Sequence, residues 1–101
     1  MKKDDFITEV QFRKLKGEII AVFPYSIWSY DDVTSYQHIG QHGGASWNIN
    51  TFTTPAKEPE YINLLLELGG LGYNVKVIKR RNHAKYLKAY HKYVEELQAI
   101  F

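Results

Sequence analysis

Cysteine is absent from this chain of 101 residues, which excludes a disulfide scaffold, a thiolate metal centre and a cysteine nucleophile. The absence fits a reducing compartment such as the cytoplasm. Long hydrophobic runs are missing too. The longest apolar cluster falls far short of the ~20 residues that a membrane-crossing helix needs, so no membrane partner is expected. The charged start Met1-Lys2-Lys3-Asp4-Asp5 leads into no apolar segment of the signal-peptide kind. There is no internal repeat and no low-complexity stretch. Catalytic signatures are equally scarce: no Gly-x-Ser-x-Gly elbow, no phosphate loop with its Lys and Ser/Thr, and no HExxH helix. The chain does not read as an enzyme, and no cofactor or metal is expected.

What is present fits one small domain. A length of 101 residues leaves room for a single core. An apolar fraction of 45%, with 15% aromatic residues, is too rich for a disordered chain. The net charge of +2 conceals a separation. Lys76, Lys79, Arg80, Arg81, Lys85, Lys88 and Lys92 follow one another with no acid between them, while the remainder sets six basic against eleven acidic residues. Segregation of this kind speaks of partners and not of fold.

Along the chain, residues 1–8 read as a frayed leader and 9–15 as a strand. Lys16-Gly17 is a turn, where glycine takes positive φ at no cost. Residues 18–23 form a second strand, apolar on both faces and therefore central and covered on both sides. Pro24, which has no amide donor, stops it. Residues 25–32 then read as a loop that carries Tyr25, Trp28 and Tyr30, either folded over the sheet or exposed for recognition. Residues 33–42 are a third strand with Tyr36, His38, Gly40 and His42 on one face, and Gly43-Gly44 breaks it. Residues 47–54 are irregular or a weak extra strand. A helix starts near Pro59, where Glu58 and Glu60 suit the dipole. It buries Tyr61, Leu64, Leu65 and Leu68 and ends at Gly69-Gly70 and Gly72, with Gly72 or Gly69 as left-handed cap. Residues 74–79 are a short strand. Asn82 caps a last helix over 82–101. Its apolar arc of about 140° faces the sheet, the first helix or a second copy of the chain. The order β-β-β-α-β-α predicts an α+β domain: an antiparallel sheet of three to four strands with two helices packed on one face.

Three groups of residues are candidates for function. Lys79, Arg80, Arg81, Lys85, Lys88 and Lys92 form a positive stripe that suits a phosphate backbone or an acidic protein. Tyr25, Trp28, Tyr30, Tyr86 and Tyr93 are candidate contacts for a protein partner, because aromatic rings supply contact area at small entropic cost. Tyr36, His38 and His42 form a polar-aromatic strand and turn. On a helix, two histidines four apart can share a zinc ion. In a strand they stand roughly 13 Å apart, too far for zinc–nitrogen bonds of about 2 Å.

Several segments, taken together, carry a resemblance. Val10-Gln11-Phe12-Arg13-Lys14, Gly17-Glu18-Ile19-Ile20-Ala21-Val22-Phe23-Pro24, Ser35-Tyr36-Gln37-His38-Ile39-Gly40-Gln41-His42, Glu60-Tyr61 with Leu64 and Leu68, and Gly72 through Arg81 resemble a family of short uncharacterised bacterial and phage proteins. The resemblance covers about residues 9–81. It implies a bacterial cytoplasm, or a host cytoplasm if phage-encoded, and brings no catalytic residue with it. The last helix lies outside it and is a natural place for self-association as a homodimer. On this reading the chain is a small accessory protein acting through protein–protein interaction, with host machinery as a target. Binding of DNA or RNA through the basic stripe is the alternative, and a small enzyme or metal site around His38 and His42 is the third.

Overall fold

Strand alternation sets the fold, which is seen in a computed structural model that describes residues 6–37 and 41–100. In β1 (Thr8–Leu15), Val10 and Phe12 enter one apolar cluster, while Gln11 and Arg13 are buried on the opposite side. In β2 (Glu18–Ser29), Ala21 and Phe23 join that first cluster and Ile20 and Val22 form a second. The double-sided apolar pattern of β2 is thus covered on both faces, as its sequence predicts. The two strands join through a tight turn in which Lys16 (φ 50°) and Gly17 (φ 84°) both adopt left-handed backbone, the geometry that matches strand twist in a two-residue hairpin.

The α+β class, the antiparallel sheet and the two helices are as expected, but their arrangement differs. The helices lie on opposite faces and not on one. Leu64 and Leu68 of α1 (Glu58–Gly70) close the first cluster, whereas Tyr86 of α2 (His83–Ile100) packs against the second. Two helices on one side would leave Ile20, Val22 and Val33 open to water, against the hydrophobic driving force. The sheet is also wider than three or four strands. With β3 (Asp32–Gln37), β4 (Gln41–Ser46), β5 (Thr54–Pro55) and β6 (Val75–Val77), its order is β4-β3-β2-β1-β5, and β6 pairs with β1 as well. β5 runs antiparallel beside Arg13 and Lys14, and β6 runs parallel beside Thr8, Glu9 and Val10. The two short strands share the outer edge of β1. β1 itself begins at Thr8, whose N–H donates to the Asn74 carbonyl at 2.8 Å.

Pro24 does not stop β2. The strand runs on to Ser29, and its pairing with β3 (Asp32–Gln37) slips between Phe23 and Ile27. A proline is tolerated at such an irregularity because the ladder is interrupted there anyway. The slip has a consequence for facing: Phe23 belongs to the first cluster and Ile27 to the second. Tyr25, four residues after Ala21, therefore turns toward α2. The segment read as an aromatic loop is half of a long strand.

The third strand is likewise shorter than the sequence suggests. β3 ends at Gln37, residues 38–40 lie outside the described residues, and β4 (Gln41–Ser46) returns antiparallel with Tyr36 opposite His42. Gly43-Gly44 is no break: both pair with β3. A Cβ on Gly44 would stand 2.6 Å from Trp28 Cδ1 and 2.8 Å from Asp32 Oδ2, so glycine there admits a close approach. Residues 47–51 form a 3-10 helix (Trp47–Thr51), opened by the Ser46 hydroxyl, which accepts the Asn48 N–H at 3.2 Å. α1 ends past Gly69 and Gly70 in a Schellman motif. Gly72 takes φ 104°, and the Tyr73 and Gly72 N–H groups donate to the Leu68 and Gly69 carbonyls.

Candidate functional site

The basic run divides once the chain folds. Two of its side chains are engaged by the rest of the molecule. Lys85 pairs with Glu9 and lies 4.8 Å over the Tyr25 ring. Arg81 lies 3.8 Å over the Trp47 ring and donates from Nη1 to the Trp47 carbonyl. Lys79, Arg80, Lys88 and Lys92 are exposed and make no ion pair among the described residues. The entry to α2 is held by Asn82, as the sequence suggests. Its Oδ1 accepts the Lys85 N–H at 3.1 Å, and its own N–H donates to the Tyr25 hydroxyl at 2.8 Å.

Arg81 is placed by an aromatic stack. Tyr86 stacks on Trp47 with ring centroids 4.0 Å apart and an interplanar angle of 20°. A ring and a guanidinium at these heights cannot share one face of the indole, so Trp47 is sandwiched between Arg81 and Tyr86. Trp47 is consequently not a platform for a base, and its role is to fix Arg81 against the 3-10 helix. Burial raises the Tyr86 phenol above its ordinary pKa, and Tyr90 and Asp31 add to the effect.

Beneath Arg81 lies a cleft of about 430 Å³ lined by Gln11, Arg13, Trp47, Asn50, Lys79, Arg80, Arg81 and His83. β1 supplies its floor, the 3-10 helix one wall, and the β6–α2 connection the other. No described carboxylate lines it. Arg13 is only 7% exposed, and among the described residues its hydrogen bonds go to neutral oxygens: Thr53 Oγ1 at 2.9 Å, the Thr53 carbonyl at 2.7 Å and the Asn50 carbonyl at 3.2 Å. Burial lowers the Arg13 pKa. Burial first, and then the charge of Arg13, lower that of Arg81. Both remain cations, because guanidinium does not deprotonate in proteins. The floor also carries two carboxamides. Gln11 Nε2 donates to the Lys79 carbonyl at 2.9 Å, and Asn50 Nδ2 donates to Gln11 Oε1 at 3.2 Å. Asn50 Oδ1 is buried without a hydrogen-bond partner among the described residues, an exception of the kind that calls for a cause.

The other candidates are distributed differently. Of the aromatic set, Tyr86 is spent on Trp47, Tyr25 on Asn82 and Lys85, and Tyr93 meets Tyr30 edge-on at 5.7 Å. Trp28 and Tyr30 remain 50% and 55% exposed at the end of the β2–β3 hairpin. His38 lies outside the described residues. His42 bonds through Nε2 to the Tyr73 hydroxyl at 2.9 Å and stands edge-on to Tyr36 at 4.7 Å. The Tyr36 hydroxyl donates to Glu67. His42 and Tyr73 border a second cavity of about 440 Å³ with Phe6, Thr8, Leu71, Gly72 and Asn74. Among the described residues no three His, Cys, Asp or Glu side chains gather as a metal site requires, and no described helix is long and apolar enough to cross a membrane.

Arg13, Trp47, Asn50, Gln11 and His83 are the cleft residues that sequence reasoning does not single out. One signal was available. A glutamine and an arginine alternate with Val10 and Phe12 in a strand beside a doubly apolar neighbour, so Gln11 and Arg13 face a covered side. Compared with models of protein families, with curated proteins and with solved structures, the chain matches none.

Proposed function

We propose that this chain is a non-enzymatic binding protein of the phage or mobile-element kind that its segments resemble, and that its ligand is nucleic acid held on the basic face. The observation that carries this reading is the convergence of Arg13, Arg81, Lys79, Arg80 and His83 on one cleft that no described acid lines. Lys88 and Lys92 extend the same charge along exposed positions of α2, one turn apart. A phosphate backbone is the polyanion that such a stripe tracks. The reading places nucleic acid ahead of a protein partner, since four of the five aromatic side chains that suit a protein interface already meet other side chains of the molecule.

The test is fluorescence anisotropy with short single- and double-stranded DNA and RNA at low and moderate salt. Binding that weakens steeply with salt and is lost on reversing Arg80 and Lys88 to Glu is the expected result. Salt-insensitive binding, or binding indifferent to both reversals, overturns it. Half-exposed Trp28 and Tyr30 support a second reading, an apolar protein contact at the β2–β3 hairpin. That contact would be insensitive to salt and lost on Trp28→Ala.

A further inference from the structure

We propose that the cleft between the 3-10 helix and the β6–α2 connection is a discrete site for a phosphomonoester, and that it captures a phosphorylated nucleic-acid end or a nucleoside monophosphate. The inference rests on the nucleic-acid reading and narrows it to one group of atoms.

Charge is the first reason. Three arginines (Arg13, Arg80 and Arg81) together with Lys79 and His83 border one cleft of about 430 Å³, and no described carboxylate enters it. Among the described residues Arg13 is buried against neutral oxygens alone. A buried cation without a counter-charge is costly, and the repulsion between Arg13 and Arg81 adds to the cost. Such an arrangement is favourable in the presence of an anion that supplies the missing charge. A diester phosphate inside a strand carries one negative charge, whereas a monoester carries about −1.5 to −2 and offers three acceptor oxygens. The concentration of cationic groups suits the monoester, and the exposed Lys88 and Lys92 suit the diesters that follow it.

Room is the second reason. The cleft is wide open to solvent, and its volume of about 430 Å³ has space for a phosphate with the sugar or base attached to it. Gln11 and Asn50 line the same space, with Gln11 Nε2 held by the Lys79 carbonyl and Gln11 Oε1 by Asn50 Nδ2, so the two carboxamides brace the floor beneath the cations. Trp47 is not available for stacking, since Arg81 and Tyr86 cover it. Recognition is therefore by charge and hydrogen bonds.

The experiment compares one labelled single strand in three forms: 5′-phosphorylated, 3′-phosphorylated and hydroxyl-ended. A phosphorylated end should bind roughly tenfold tighter, the effect of about one added charge-assisted hydrogen bond. The double variant Lys79→Ala/Arg80→Ala should abolish that ratio. Both side chains are exposed, and neither makes a side-chain hydrogen bond among the described residues, so the fold is retained. Lys88→Ala/Lys92→Ala should weaken all three forms alike and keep the ratio. Equal binding of the three forms, or a ratio that survives the Lys79/Arg80 change, overturns the phosphomonoester site and leaves the nucleic-acid reading standing. Should no strand bind, that reading falls, and NMR titration with adenosine monophosphate against adenosine decides the site by itself. Shifts of the Asn50 and Gln11 side-chain amides with the monophosphate alone support it, and silence of those signals overturns it.

Discussion

Trp47 organises the candidate site through both faces of its ring. Arg81 and Tyr86 are held by contact with it, and its carbonyl accepts from Arg81. Trp47→Ala should cost about 2–4 kcal/mol, near the lower end for truncating a large aromatic that is only partly buried, and should be read by urea denaturation. A titration accompanies it. Burial holds the Tyr86 phenol above its ordinary value of about 10. The stability linked to that shift is fully present below the unfolded-state value and is lost as the pH rises through the folded one. In Trp47→Ala, tyrosinate absorbance from this residue should appear at lower pH than in the parent protein. Two glycines give an opposed pair at the same scale. Gly44→Ala drives a methyl into Trp28 and Asp32 and should destabilise by about 1–3 kcal/mol. Gly69→Ala, in α1 with open space around it and no left-handed backbone, should stabilise by about 0.4–1 kcal/mol. Thermal melts of the two variants should move in opposite directions.

The ends of α1 show how an element is fixed by few groups. Its first turn is closed by Glu60, which accepts the Lys57 N–H at 3.0 Å and pairs with Lys14 of β1. The hydrogen bond from Lys14 is the largest cause of its lowered carboxyl pKa, followed by the bond from the Lys57 backbone. A carboxyl whose folded value is depressed stabilises above its unfolded value, about 4.3 for Glu, and loses that contribution as the pH falls through the folded value. Glu60→Gln should therefore melt lower than the parent at neutral pH, and the gap should close in acid; a gap that persists below the folded pKa would refute the assignment. Both ends of α1 were legible, because Pro59, Glu60 and Gly72 act locally. So was the cap of α2 at Asn82, and so was the Lys16-Gly17 turn. What was not legible depends on distant neighbours. Pro24 reads as a stop until β3 is seen to slip beside it. Gly43-Gly44 reads as a break until Trp28 is seen above Gly44. The placement of α2 across the sheet from α1 follows from competition for apolar faces, which no single segment records. The stripe of six basic residues was legible as charge, but the holding of Arg81 and Lys85 by contacts, which sets them apart from Lys79, Arg80, Lys88 and Lys92, is due to Trp47, Glu9 and Tyr25, the first 34 residues away in sequence.

At the scale of the molecule, charge separation is the property that a partner meets first. Seven cations lie between positions 76 and 92 with no acid among them, and the remainder is net acidic. Folding draws part of the acidic remainder toward the basic run, since Glu9 neutralises Lys85. It also adds Arg13 from β1 to the cleft, so the surface charge is not the charge of the segment. This distinction can be measured. Phosphate contacts release counterions, and each contact contributes about −0.7 to the slope of log K against log salt for a single strand, or about −0.9 for duplex DNA. Lys88→Ala/Lys92→Ala, at exposed positions without ion pairs, should leave the melting temperature nearly unchanged and make the slope shallower by roughly 1.4–1.8. Lys85→Ala should do the reverse: it frees Glu9 and uncovers Tyr25, so stability falls, while the slope changes by much less than one contact. If instead all three lysines altered the slope equally, the ion pair with Glu9 would have to open on binding, and the basic face would be a continuous stripe in the complex. Equal slopes for the parent and the Lys88/Lys92 variant would mean that phosphates do not track α2, and would confine any nucleic-acid contact to the cleft.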